Sequence, residues 1–334
     1  LRGITLTTAA LLLAACVFAG GGCGGEEERA PIVIIEVAVN PGGTGASRLL
    51  EAGMRQLENE LSLEVIEQEW PTADITSAVE AQRDAGADLA LVLGRGDLVL
   101  DPGVLAEGTT LVGLNVGLRD GSGRALGEGD GVFEVRYRVE EGAYLGGLLA
   151  ASVTTDRGIG RMNPEAVVAY IGCPASAQER AWRLGFERGV AEINPNCAIA
   201  EYDLPSPDDL ANARAAVDTA LKLKADVIFC APGAFQQEVL ALAAARGFLV
   251  ITSDAEPGGE EPEALLAGTV LRDDLAMFRA AHLFAGGGDK TGAMEWGREE
   301  GVVDFSVSSR YASSLPLSIL QVLQRPLPRD LPRQ

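Results

Sequence analysis

The sequence predicts an α/β protein of two lobes, each built on a doubly wound parallel sheet. Two observations predict it. Short apolar runs of strand length alternate with segments of helical periodicity, as they must when a crossover helix joins consecutive parallel strands. That rhythm occurs twice, and a chain of 334 residues is longer than a single hydrophobic core usually serves.

The first lobe opens with Ile32–Val39, an apolar run broken only by Glu36. Asn40–Ser47 is a glycine-rich turn, and the helix after it reaches about Leu61. A second strand, Leu63–Gln68, ends at Glu69-Trp70. Ile75–Ala85 reads as a helix and Ala87–Leu93 as a third strand, stopped by Gly94-Arg95-Gly96-Asp97. Leu111–Leu114 is a fourth strand, ending at Asn115. Continuous apolar runs of this kind suit strands covered on both faces.

The second lobe repeats the pattern. Glu140–Ser152 is a helix with small residues that permit close packing, and Val167–Gly172 is a strand. Gln178–Glu192 is a helix broken before Asn194-Pro195, followed by the strand Cys197–Tyr202 and a helix over Asp208–Lys222. Val227–Cys230, Phe235–Arg246 and Phe248–Thr252 form a βαβ unit. Gly247 sits where a left-handed residue closes a helix. Two such sheets in one chain imply a clamshell. In open α/β sheets ligands lie outside the carboxyl ends of the strands, so the strand ends are where function is sought.

The formal charge of −21, from 48 acidic and 27 basic residues, argues against a nucleic-acid partner, which needs clustered Lys and Arg. The amino-terminal residues have the form of an export signal over 1–22: Arg2, a short apolar stretch and small residues before a cysteine. Leu13-Ala14-Ala15-Cys16 resembles a bacterial lipobox, in which the cysteine is lipidated; Cys23 is the alternative. The Gly- and Glu-rich residues to about 30 read as a tether. Export implies an oxidising compartment. Cys173 and Cys230 end strands at one sheet edge, so they form a bridge or stay as buried thiols.

Catalytic chemistry finds no support. The only histidine, His282, lies in the helix Leu275–Phe284 among Ala, Met and Phe. No His, Cys and carboxylate cluster has metal-ligand spacing, and no catalytic residue, metal or cofactor is expected. The loop Asn40–Ser47 matches neither the dinucleotide fingerprint nor a Gly-Lys-Ser/Thr phosphate loop. Its backbone N–H groups from Thr44 to Ser47 remain available to an oxygen-rich ligand.

Several motifs occur together and in order. They are Glu140-Glu-Gly-Ala-Tyr-Leu-Gly-Gly147, Gly185-Phe-Glu-Arg-Gly-Val-Ala-Glu-Ile-Asn-Pro195, Ala225-Asp-Val-Ile-Phe229, Ser253-Asp254, Gly268-Thr-Val-Leu-Arg272 and Gly297-Arg-Glu-Glu-Gly-Val302. In these motifs the chain resembles the basic membrane protein (BMP) family, lipoprotein substrate-binding subunits of ABC importers related to purine nucleoside receptors. The resemblance covers most of residues 31–305. It implies a type I periplasmic-binding fold in which the chain crosses between lobes three times, near Val135–Val139, Asp254–Gly268 and Glu295–Gly301. The first lobe would then comprise 31–137 with about 268–296, and the second 138–267 with about 297–324. Residues 325–334, rich in Pro and Arg, form a tail.

The resemblance also implies an extracytoplasmic, lipid-anchored monomer that hands a nucleoside-like or other small polar ligand to an ABC permease. A ligand-sensing lipoprotein with the same clamshell is the alternative. Asp254 matches a family aspartate associated with ribose hydroxyls, and Arg272 stands where the family usually has Lys. Trp70 and Phe235 follow strands and are expected at the cleft as stacking surfaces, whereas Trp182 is expected in helix packing. Arg95 and Asn115 end first-lobe strands and are expected to reach the cleft, and Glu140 and Glu141 to stand near the hinge. Thr44 and Ser47 complete the expected set. Family members carry an Asp, an aromatic and an Asn in the first loop to read a nucleobase. This chain has Gly43-Thr-Gly-Ala-Ser47 there, which leaves the ligand open.

Overall fold

The computed structural model describes residues 32–37, 44–61, 64–71, 73–105, 109–154, 156, 162–174, 176–255, 261–285 and 294–331. The expected signal segment, Cys16, Cys23, the tether and Asn40–Gly43 lie outside them. So do the side chains of Thr44, Ser47 and Arg95.

The elements follow in chain order. The first lobe contains β1 (Ile32–Val37), α1 (Thr44–Leu61), β2 (Val65–Trp70), α2 (Thr76–Asp84), β3 (Leu89–Val99), β4 (Thr110–Arg119) and β5 (Val132–Tyr137). The second contains α3 (Val139–Val153), β6 (Val167–Gly172), α4 (Ala177–Ile193), β7 (Ala198–Asp203), α5 (Leu210–Lys222), β8 (Val227–Cys230), α6 (Phe235–Arg246), β9 (Leu249–Thr252) and β10 (Leu265–Leu271). The chain ends with α7 (Asp273–Ala285), β11 (Met294–Trp296), β12 (Val303–Val307), α8 (Ser309–Ala312) and α9 (Leu317–Leu323).

Two six-stranded sheets result, ordered β11-β5-β4-β3-β1-β2 and β12-β10-β9-β8-β6-β7. Every described pairing is parallel except β10 with β12. Parallel strands are covered by helices on both faces, which explains the unbroken apolar runs. In β1, Ile32 and Ile34 join one hydrophobic cluster while Val33 and Ile35 join another. In β8, Val227 and Phe229 likewise face one layer, and Ile228 and Cys230 the other.

β3 and β4 run further than their sequences suggest. Gly94-Arg95-Gly96-Asp97 reads as a turn, yet pairing resumes within it, from Gly96 with Val116 to Val99 with Arg119. Leu93 pairs Leu114, so two residues of β3 stand opposite Asn115 alone. That is a β-bulge, which re-aims a strand without ending it. Asn115 takes φ 60° and Gly96 φ 81° to accommodate it, conformations that Asn and Gly accept at least cost. Strands β5 and β10 to β12 escaped the sequence reading. β11 and β12 are short and fall among charged residues.

The chain passes between lobes at Arg138, after β5, and again between β11 and β12. The other passage falls at Arg272, later than 254–268, because β10 completes the second sheet as far as Leu271 before α7 packs on α1 of the first lobe.

Helix α3 is buried along its length except at Ser152. Beyond the first-turn Glu140 and Glu141 its residues are apolar or small on every side, as suits a helix in an interior, and α3 lies between the second sheet and α4. The contact with α4 is made at backbone distance. A Cβ on Gly189 would collide with the Tyr144 carbonyl oxygen, and one on Gly147 with the Phe186 carbonyl. Gly189→Ala therefore sets two effects against each other. Alanine favours a helix by about 1 kcal/mol over glycine, while overpacking a rigid contact costs about 1–3 kcal/mol. The collision is with backbone, so we expect net destabilisation of about 1 kcal/mol or more, read as a lower urea midpoint at unchanged m-value. A midpoint that rises would show that the helices can separate without cost.

Candidate functional site

The bulge places a polar ribbon beyond the core of the first sheet, and there a cavity of about 400 Å³ opens between the lobes. Gly96, Asp97, Asn115, Gly117, Arg119, Glu134 and Arg136 line it from the first lobe, and Ser176, Ala177, Gln178 and Arg180 from the second. Its volume falls in the range typical of small-molecule sites.

Ion pairs order the first-lobe wall. Arg119 Nε lies 2.7 Å from Asp97 Oδ2, and Arg136 Nη2 lies 3.1 Å from Glu134 Oε2. Glu134 also accepts the Leu118 backbone N–H at 3.1 Å, tying it to β4. A Cβ on Gly117 would displace the Asp97 carboxylate from its present position.

The second-lobe wall is the amino terminus of α4. Ser176-Ala-Gln-Glu179 is a capping box. Ser176 Oγ accepts the Glu179 N–H at 3.1 Å, and Glu179 Oε2 accepts the Ser176 N–H at 3.0 Å. The helix is thus held with its positive end toward the cavity.

Asn115 joins the walls. It is 4 % exposed, and its Oδ1 accepts from the Tyr137 backbone N–H at 3.4 Å and from Gln178 Nε2 across the cleft. Its Nδ2 is buried without a hydrogen-bond partner. A buried, unused donor is costly, and this one belongs to a residue that lines the cavity.

Of the expected site residues, the structure brings Asn115 to this cavity. Arg95 lies on the adjoining bulge, and Thr44 and Ser47 lie on the first turn of α1. Trp70 is half-buried against the first-lobe core, with Nε1 donating to the Asp74 carbonyl at 2.7 Å. Phe235 is a correction. It has no exposed surface and sits in the second-lobe core, because its ring folds under Gly233 instead of projecting from the strand end. It offers no stacking surface. Asp254 is exposed just past β9. Arg272 holds Asp274 with two nitrogens, at 2.8 and 2.7 Å, a bidentate pair that occupies its guanidinium.

Trp182 is 1 % exposed and packs near Phe229. No disulfide joins Cys173 and Cys230; burial pushes the Cys230 thiol well above its ordinary range. His282 is exposed in the last turn of α7. Among the described residues no group of His, Cys, Asp and Glu is placed to hold a metal, and no helix is long and apolar enough to cross a membrane.

Below the cavity, the interlobe passages are tied together. The Arg138 N–H donates to the Trp296 carbonyl at 2.9 Å, and the Arg272 N–H to Val302 at 2.8 Å. Arg138 pairs with Glu300 at 2.8 Å and Glu141 at 3.2 Å, and Glu141 accepts the Arg298 N–H at 2.6 Å. The Tyr137 hydroxyl donates to Asp273 at 2.9 Å. Glu140 is 2 % exposed and its Oε2 has no hydrogen-bond partner. Desolvation, followed by a smaller effect of neighbouring Glu141, pushes its carboxyl from 4.5 up to about 7, against the attraction of Arg138.

A family model described as ABC transporter substrate-binding protein PnrA-like (Bmp) matches residues 122–324. No match was found among curated protein sequences. Among solved structures, a transcriptional activator of the comK gene from Bacillus halodurans is 18% identical with a TM-score of 0.66, covering 87% of this chain and 94% of its own. An ABC transporter solute-binding protein from Aeropyrum pernix K1 is 18% identical with a TM-score of 0.60, covering 88% of this chain and 85% of its own. A sugar-binding ABC transporter protein from Bacillus halodurans is 13% identical with a TM-score of 0.60, covering 86% of this chain and all of its own. At these identities the likeness establishes the fold: two α/β lobes of the periplasmic-binding type.

The buried Glu140 makes stability depend on pH. Its folded pKa lies above its unfolded value, so between about pH 4.5 and 7 the native state holds the extra proton and stability falls as pH rises. Glu140→Gln removes this contribution. Relative to that variant, the wild type should lose stability across the window and run parallel above it, as measured by urea unfolding at each pH. Parallel curves from pH 4.5 to 7 would show that the carboxyl titrates normally.

Proposed function

We propose that this chain, which belongs to the PnrA-like family of ABC transporter substrate-binding proteins, encloses a small polar solute between Asn115 and the α4 amino terminus and delivers it to a permease. The cavity carries this reading: it is built from both lobes, and the Asn115–Gln178 hydrogen bond spans it. A ligand that contacts both walls favours the closed arrangement by its differential affinity for it. Permease docking would then read closure.

The anchor and the ligand class belong to the same reading. Cys16, after Leu13-Ala14-Ala15, is the proposed lipidation site that holds a monomer outside the cell membrane. Eight of the described lining residues carry polar or charged side chains, beside Val116 and Ala125, and none is aromatic, which suits a hydroxyl- and acceptor-rich solute. A nucleoside, the ligand implied by family, enters on its ribose and polar edges, without a ring stacked on Phe235.

A thermal-shift panel of nucleosides and pentoses at millimolar concentration tests this. At least one member should raise the melting temperature in proportion to the logarithm of its concentration. Asn115→Leu should weaken that binder by about tenfold, the worth of one buried hydrogen bond. A panel that leaves the melting temperature unmoved, with titration calorimetry also silent, would defeat the proposal.

A further inference from the structure

Arg119 and Arg136 are each matched by an acid in the cavity wall, Asp97 and Glu134. Among the described residues Arg180 is the remaining cation lining the cavity. It makes no ion pair among the described residues and stands on the first turn of α4. The backbone N–H groups nearest it are only partly used. Ser176 and Glu179 N–H are engaged in the capping box, and Arg180 N–H bonds the Ser176 carbonyl at 3.2 Å. That leaves the N–H groups of Ala177 and Gln178, both cavity-lining, at the positive end of a 17-residue helix.

The independent observation is Asn115. Its amide oxygen already holds Gln178 of that same turn, and its Nδ2 is a buried donor with no partner. The Asn115 side chain, the first-turn backbone of Ala177 and Gln178 and the Arg180 side chain thus belong to residues lining one cavity. We infer that this cavity binds an anionic oxygen group, a carboxylate or a phosphate, so that the transported solute is an acid and not its neutral parent. The inference rests on the proposal that a solute occupies this cavity. It runs against the overall charge of −21. An acidic protein gains no anion affinity from its surface at large, so selectivity for an acid has to be built locally.

Matched pairs measured by titration calorimetry test the inference: D-ribose against D-ribonate and D-ribose 5-phosphate, and adenosine against its 5′-monophosphate, with inorganic phosphate alone as the smallest probe. The acid of at least one pair should bind about tenfold or more tighter than its neutral partner. Arg180→Gln should reduce that ratio, and Asn115→Asp, which replaces the orphan donor with a carboxylate oxygen at a position Asp tolerates, should abolish or reverse it. Circular dichroism and melting of each variant separate a lost preference from a lost fold. If neutral members bind as tightly as the acids, or if the preference survives both substitutions, the anion site is overturned while the solute-binding reading stands. If no member of any pair binds, both fall.

Discussion

Helices α3 and α4 meet backbone to backbone, and that contact places both the hinge and one wall of the cavity. α3 starts at Val139, immediately after the chain leaves the first lobe at Arg138. α4 starts at Ala177, where the cavity opens. Glycines at 147, 185 and 189 bring the two helices together, with Gly185 against the Glu140 backbone. Interiors are close-packed and transmit displacement, so a rotation at the hinge carries the α4 amino terminus with it as part of one rigid lobe.

Polar groups are distributed unevenly around this frame. The hinge side is dense in matched charge, with Arg138, Glu141 and Glu300 bonded to one another and to the connecting backbone. Such a network fixes the angle at which the strands cross while leaving few torsions to change. Buried polar atoms without a hydrogen-bond partner occur on both sides: Arg138 Nε, Glu140 Oε2 and Arg298 Nη1 near the hinge, and Asn115 Nδ2 at the cavity. At the cavity the first-lobe carboxylates are paired, but Asn115 Nδ2 is not. A buried donor on a cavity-lining residue is a place where a bound acceptor can complete the hydrogen bonding.

Most of the architecture was legible in the chain, because parallel strands buried on both faces leave unmistakable apolar runs, as in Ile32–Ile35 and Val227–Cys230. The site was less so. Asn115 could be placed at a strand end, but Asp97 and Arg119 lie where strands continue past a bulge, and nothing in Gly94-Arg95-Gly96 distinguishes a bulge from a turn. Phe235 was misplaced because the first residue of a helix can point outward or fold beneath the preceding turn, and only packing decides. Gln178 and Arg180 had a signal that went unused: Ser176-Ala-Gln-Glu179 is a capping box, and it marks the helix start that faces the cleft.

The central claim is that a solute bridges Asn115 and the first turn of α4. The most direct measurement is a crystal structure of the protein grown with its tightest-binding solute. The account predicts that an acceptor oxygen of the solute lies within about 3 Å of Asn115 Nδ2 and of the Ala177 or Gln178 N–H. A solute seated elsewhere, touching neither Asn115 nor α4, would contradict it.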